Sequence, residues 1–386
     1  YTLKTDDDVS DLIFGDTTST LTINDMKNAP YDDPRWEELV NKVTVAEFLD
    51  FSANAFHNIQ GIASVNMPQK AADDGPGGSD SHYLNEGGYQ GVPYADAADY
   101  TSGTRVAPSP VNLAYAWNKE LAFENGEIIL GESTLVLDLP IMIGPGMNIH
   151  RHAYNARGVE YYSEDPILSG YVGSAVVQGA QSKGTLVNIK HMGFNDQEHN
   201  RAGISAYMTE QKFRETDLRG FEGALSDAFG MGVMIAFNRI GATNAAHHVG
   251  MIQKIVRGEW GFKGLISTDM MNNYLYFNAE SMVMTGITQV DFAADNSHIN
   301  LGEGGVDAVW PHISLETVSK DSNLVEQARE NLKYQLYIFA NSAILNISTQ
   351  RVNTWWDTAL TVTTYASSIL AVLFFLAWVV LTLLPE

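Results

Sequence analysis

The chain contains no cysteine, which removes disulfide scaffolds, thiolate metal sites and thiol nucleophiles in one step. Absence of thiols fits a reducing cytosol and an oxidising exterior alike, so the compartment stays open. Positive charge is also scarce: 23 Lys and Arg stand against 46 Asp and Glu, for a net charge of −23. No basic cluster relieves that excess, and a phosphate backbone would be repelled, which argues against nucleic acid as a partner. The opening stretch "YTLKTDDDVSDLIFGDTTST" has no basic segment followed by an apolar core. It predicts no signal peptide, and a chain that begins inside a longer polypeptide or after a cut. No Gly-x-Ser-x-Gly elbow is present, which disfavours a serine hydrolase, and no Gly-rich dinucleotide fingerprint follows the first strand, so no cofactor is expected. His150 and His152 in "NIHRHAYN" have no third ligand at a recognisable spacing, and no metal is expected either.

Aromatic side chains, by contrast, are plentiful, with 17 Tyr, 16 Phe and 7 Trp in 386 residues. Flat apolar rings serve core packing first, and they also suit the faces of sugars. The C-terminal run "TALTVTTYASSILAVLFFLAWVVLTLL", residues 358–384, passes 27 residues without a charge. At ~1.5 Å per helical residue it is long enough for a hydrocarbon core of ~30 Å, and it predicts a transmembrane helix. Trp355 and Trp356 precede it as interfacial aromatics do, and Trp378 lies near its far end.

Residues 1–33 are acidic and Thr-rich without a sustained period, and read as a linker or as the tail of something upstream. "DPRWEELVNKVTVAEFLDFSANAF" then has helical spacing from Trp36 through Leu39, Val43 and Phe48, with Asp32 or Asp33 available to cap it. From about residue 104 onward, β-rich runs ("TRVAPS", "LPIMIGPG", "TLVNIKHM", "GVMIAFN", "GLISTDMM") alternate with helical patterns. That alternation predicts an α/β protein with a parallel sheet, and the number of units favours a closed (β/α)8 TIM-like barrel over residues 34–345. A short linker, 346–357, would join the barrel to the membrane helix at 358–384.

The polar residues share one kind of place. Asp74 lies in the loop "ADDGPGG", and Arg157, Lys190, His191, Asn238 and Asp269 each follow or end a β-rich run; in a parallel barrel the C-terminal strand ends form the rim on which active sites are built. Lys190 and His191 are adjacent, so strict alternation sends one toward the axis and the other away; the twist at a strand terminus also allows both to reach a ligand. Glu160, Glu164 and Asp165 make a carboxylate-dense loop in which Asp165 suits capping of the helix after Pro166. Asp196 and Glu198 lie near Arg201, which suggests ion pairing.

The segments "DDGPGG", "IGPGMNIHR", "NARGVEYYSEDPILSG", "IKHMGFNDQEHNR", "MTEQKFRETDLRGFEGAL", "FNRIGATNA" and "EWGFKGLISTDM" together resemble glycoside hydrolase family 3, the β-glucosidase-like group. The resemblance follows the family's order and spans about residues 34–345. It implies that Asp269 is the nucleophile of a retaining, exo-acting β-glycosidase, forming a covalent glycosyl-enzyme. It likewise implies that Asp74, Arg157, Lys190 and His191 bind sugar hydroxyls. Phe237 stands where many members carry a tyrosine, and Met270 where an aromatic often follows the nucleophile. A carboxylate nucleophile must stay ionised, and surrounding cations and donors favour that.

Retention needs a second carboxyl group ~5–5.5 Å away as acid and base. In the β-glucosidase-like branch that group comes from a second domain, so the resemblance implies an upstream domain or a partner chain that supplies it. The expected substrate is a β-linked oligosaccharide or glycoside, and the expected setting is a membrane anchor with the barrel outside the cell. Two alternatives carry different consequences: a membrane-tethered carbohydrate-binding module without catalysis, and an N-acetylhexosaminidase-like enzyme using a loop histidine. His199 is the nearest candidate for the latter, although its loop lacks that branch's Pro-Gly-His-Gly pattern.

Overall fold

The computed structural model describes residues 14–53, 58–74, 108–132, 135, 139–201, 204–269, 279–290, 321–345 and 355–383. The acidic start up to residue 13, most of the "TRVAPS" run, the "DDGPGG" loop beyond Asp74, Met270 and the linker 346–354 lie outside them. Two compact units divide the chain between Ile347 and Ser348.

In the first unit the strands are β1 (Asn58–Ile59), β2 (Lys70–Asp74), β3 (Ile141–Gly146), β4 (Leu186–Met192), β5 (Ser205–Ala206), β6 (Gly232–Ile235), β7 (Arg239–Ile240), β8 (Thr243–Asn244) and β9 (Leu265–Thr268). The main sheet runs in the order β1-β2-β3-β4-β6-β9, while β5, β7 and β8 form a small separate sheet. Within the main sheet, among the described residues, only β1 is antiparallel to its neighbour; β2, β3, β4, β6 and β9 are all parallel. A parallel bridge from Ser267 to Gln289 extends the sheet one position further. Parallel strands added in chain order with helices between them make a TIM-like α/β fold.

Period-two alternation sorts the strand residues into two apolar layers. Met142, Val187, Ile189, Val233, Ile235 and Ile266 face the outer helices, of which Pro166–Ser182 is the longest. Ile141, Ile143, Leu186, Met234 and Leu265 face the other way, into a layer shared with Trp36, Leu39 and the helix Ser322–Ala340. This second face matters for function. Continuing the alternation toward the strand ends places Asp74 in phase with Ala72, Asn188 and Lys190 in phase with Leu186, and Ser267 and Asp269 in phase with Leu265. Asn188 Nδ2 donates to Ser267 Oγ across the sheet at 2.9 Å, which confirms the shared face.

Local chemistry sets the helix boundaries. Asp165 caps the helix Pro166–Ser182 by accepting from the amides of Ile167 and Leu168, and Pro166 occupies the first turn, where it has no amide to waste. That helix crosses Lys119–Asn125 so closely that a Cβ on Gly179 would lie 2.0 Å from the Phe123 carbonyl oxygen. Glycine is what allows the two backbones to touch. The single helix expected around residues 33–56 is instead two, Arg35–Lys42 and Val45–Ala53. Thr44 and Glu47 form a reciprocal cap, with the Glu47 amide donating to Thr44 Oγ1 at 3.1 Å and the Thr44 amide donating to Glu47 Oε2 at 3.0 Å. Such a capping box starts a new helix where the apolar spacing alone runs on.

The second unit contains the helix Trp355–Leu383. Its stretch Thr358–Val380 is long and apolar enough to cross a membrane, and no part of it is buried.

Candidate functional site

The C-terminal ends of β2, β4 and β9 bring together the polar residues that occupy the inward-facing positions. Lys190 is 3% exposed, and its Nζ lies 2.5 Å from Asp74 Oδ1. Asp269, immediately after β9, is buried, and its amide donates to the Ile235 carbonyl at 3.0 Å. His191 Nε2 and Arg201 Nη1 approach Asp269 Oδ2 at 3.5 and 3.4 Å. Thus Lys190 and His191 both face the site. The pairing of β4 with β6 shifts between Ile189 and Met192, and an irregularity at the strand end breaks the alternation that would have separated them.

Neighbouring segments fix His191. Asn148 grips its backbone from both sides, donating to the His191 carbonyl at 2.9 Å and accepting from its amide at 2.7 Å. The Tyr161 hydroxyl lies 3.5 Å from His191 Nδ1, and Asn195 Nδ2 donates to that hydroxyl at 2.9 Å. A Cβ on Gly146, at the end of β3, would fall 2.6 Å from the Tyr161 ring, so only glycine lets this ring pack against the strand. Burial pushes the His191 pKa well below its ordinary 6.5, and Arg157, Lys190 and Arg201 push it the same way. The imidazole is therefore neutral at physiological pH.

That shift makes the stability of the fold depend on pH. With its folded pKa depressed, His191 contributes nothing above the unfolded value near 6.5. Below it, the unfolded chain takes up a proton that the folded chain refuses, so stability falls as pH drops, by up to ~1.4 kcal/mol per pH unit. Urea denaturation at pH 7.5 and 5.5 should show this loss in the wild type and a smaller loss in His191→Asn; equal losses would reject it.

Arg157 precedes the short helix Gly158–Glu160, and its Nε lies 2.5 Å from Glu160 Oε1. Burial opposes its charge, but Glu160, Tyr161 and Asp269 outweigh burial and hold the guanidinium above its ordinary range. Glu160 is thereby committed to Arg157. Phe237 lies under Arg201, whose guanidinium sits 4.4 Å from the ring centroid. His150 Nε2 faces the Tyr161 carbonyl oxygen at 2.9 Å, whereas His152 Nδ1 accepts from the Tyr154 amide at 3.2 Å, so the two imidazoles serve separate partners. Among the described residues no cluster of three His, Asp or Glu side chains could hold a metal ion.

Arg201 is the site residue that sequence reasoning missed. Its ion pair with Glu198 exists, at 3.4 Å, but the same nitrogen also reaches Asp269. It lies on an excursion between β4 and β5, well past the end of β4 at Met192, and only the path of that loop reveals its direction. The loop is well tied: Asn155 Nδ2 donates to the Asn195 carbonyl at 3.1 Å, and Asn238 Nδ2 to the Gly193 carbonyl at 3.0 Å. Arg151 adds an ion pair to Asp196 at 2.6 Å. Burial nevertheless raises Asp196 to about 6, against the pull of Arg151 and with the help of Asp217.

The assembly is the C-terminal end of a parallel sheet with a buried carboxylate, Asp269, facing a guanidinium and a neutral imidazole, beside a second carboxylate closed onto a lysine. It can present a nucleophilic oxygen to an electrophilic carbon and hydrogen-bond a polyhydroxylated ligand.

Known proteins are similar to this chain in sequence and in fold. The profile of the Glycosyl hydrolase family 3 N terminal domain matches residues 81–291. The chain is 31% identical over 238 residues to the probable beta-glucosidase K of Emericella nidulans, covering 61% of this chain and 26% of that protein. It is also 31% identical over 221 residues to the exo-alpha-(1->6)-L-arabinopyranosidase of Bifidobacterium breve, covering 57% of this chain and 28% of that protein. Among solved structures, beta-glucosidase 3B from Thermotoga neapolitana in complex with glycerol superposes with a TM-score of 0.69 at 25% identity, over 82% of this chain and 44% of its own. The chain thus spans about a quarter of the curated relatives it matches.

Proposed function

We propose that this chain, which belongs to glycosyl hydrolase family 3, forms the sugar-binding and nucleophile-bearing part of a retaining, exo-acting β-glycosidase, β-glucosidase-like in character. The observation that carries the reading is Asp269, buried at the end of β9 with His191 Nε2 and Arg201 Nη1 at 3.5 and 3.4 Å from one of its oxygens. In the first step an Asp269 oxygen bonds to the anomeric carbon as the glycosidic carbon–oxygen bond breaks, and the leaving oxygen takes a proton from a second carboxyl group. In the second step water, deprotonated by that same group, displaces Asp269 and restores the carboxylate.

Among the described residues Asp74 and Glu160 are each closed onto a cation, and the resemblance to the β-glucosidase-like branch supports a proton donor on an upstream domain or a partner chain. Lys190, Asp74, Arg157 and His191 bind hydroxyls of the sugar, and Phe237 shapes its preference by supporting Arg201 without offering a hydroxyl. The barrel, over residues 34–345, closes as (β/α)8. The apolar helix beyond the linker spans a membrane and keeps the site on the exterior face.

The test is covalent trapping. A 2-fluoro glycoside with an activated leaving group needs little acid assistance, and both the glucosyl and the L-arabinopyranosyl reagents should be tried, since relatives of both names are similar to the chain. The expected product is a fluoroglycosyl mass on the peptide containing Asp269. Unmodified Asp269 after prolonged exposure to both reagents would reject the assignment.

A further inference from the structure

We infer that Glu198 is a positioning residue for this site: its carboxylate, set between Arg157 and Arg201, orients both guanidinium groups around Asp269. The inference rests on the reading of Asp269 given above, and it assigns a role to a residue outside the sugar-contacting set.

The geometry begins with one oxygen. Glu198 Oε2 lies 3.4 Å from Arg201 Nη1 and 3.7 Å from Arg157 Nη1. The side chain as a whole is 37% exposed, yet this oxygen is buried and accepts no hydrogen bond from any described residue. A buried acceptor without a donor costs free energy unless something compensates it. Here the compensation is the field of two cations. Both separations exceed the ~2.7–2.9 Å of a charge-assisted hydrogen bond, so the two arginines are held in balance, with neither locked onto Glu198.

The balance bears on catalysis through Arg201. The nitrogen that faces Glu198 is the one that stands 3.4 Å from Asp269 Oδ2. Its guanidinium plane rests on the Phe237 ring, 4.4 Å away, a contact that supports position but resists in-plane swing poorly. Without Glu198, Arg201 would be drawn onto Asp269 alone and cap the oxygen that must attack. Arg157 has a second anchor, Glu160 at 2.5 Å, so the larger effect of losing Glu198 falls on Arg201. The loop that carries Glu198 is independently fastened by Asn155 and Asn238. Neutralising Glu198 therefore changes the field at the site without releasing the backbone.

A double-mutant cycle tests this. Glu198→Gln, Arg201→Lys and the double variant are compared for the rate of trapping by the activated 2-fluoro glycoside and for glucose affinity by calorimetry, with melting temperature as a control on folding. Glu198→Gln should slow trapping by about 10–100-fold with an unchanged melting temperature. The double variant should be no slower than Arg201→Lys, because the one residue acts through the other. Wild-type trapping rates in Glu198→Gln, or losses that multiply in the double variant, would overturn the inference. Failure of the underlying reading looks different: the wild type is then not trapped at Asp269. In that event the same cycle in glucose affinity decides, with coupled losses supporting the role of Glu198 and independent losses overturning it.

Discussion

Replacing Asp269 by asparagine should reduce turnover of an aryl β-glycoside by on the order of 10⁴-fold or more, the scale seen when a group that forms the covalent intermediate is removed, while the fold survives. The substitution is close to isosteric. An amide nitrogen or oxygen is a poor nucleophile toward an anomeric carbon, so the covalent route closes. The fold survives because the surrounding cations retain other anions: Arg201 keeps Glu198, Arg157 keeps Glu160, and Lys190 keeps Asp74. No guanidinium or ammonium is stranded in the interior, which is the usual route to a large loss of stability. Steady-state kinetics with an activated aryl glycoside, alongside thermal melting, reads both halves. Turnover within tenfold of wild type would remove Asp269 from the nucleophile position, and the charged oxygen near His191 and Arg201 would need another explanation.

How much of this was legible in the sequence depends on how local each cause is. Strands β3, β4, β6 and β9 are legible because each is a short β-rich run with a visible end, and the direction of Asp269 follows from counting by twos from Leu265; β2, "KAADD", lacks the β-branched and aromatic residues of a strand, so Asp74 reads as a loop residue although it ends that strand. The helix break at Thr44 was also present as a Thr-x-x-Glu signature, but the apolar spacing across it was continuous and the longer period prevailed. Lys190 and His191 could be placed at a strand end but not oriented. Alternation separates neighbours, and the irregular pairing that overrides it belongs to β6 as much as to β4. Arg201 was least accessible. Its ion pair with Glu198 is a matter of three residues along one chain, whereas its approach to Asp269 spans 68 positions and depends on a loop pinned by Asn155 and Asn238. Sequence spacing reports the first kind of contact and is silent on the second.

Lys190→Met should lower kcat/KM by about 10²–10³-fold, the cost typical of removing one preorganised donor from an active site. Methionine keeps most of the length and volume of the stem, so the space taken by the buried Lys190 side chain, 3% exposed, stays filled. What disappears is the ammonium 2.5 Å from Asp74. Breaking a buried pair costs ~3–5 kcal/mol when the remaining charge is stranded. Asp74 is 29% exposed, so water can take over part of the role and the stability cost should lie below that range. The field at the site changes as well. Lys190 is one of the cations that, after burial and Arg157, depress the pKa of His191; its loss should let the imidazole protonate at a higher pH. NMR titration of the His191 ring should therefore show the midpoint moving upward in Lys190→Met, together with the kinetic loss. A variant with wild-type kcat/KM and an unmoved His191 titration would show that the ammonium neither holds the sugar nor sets the charge of its neighbour.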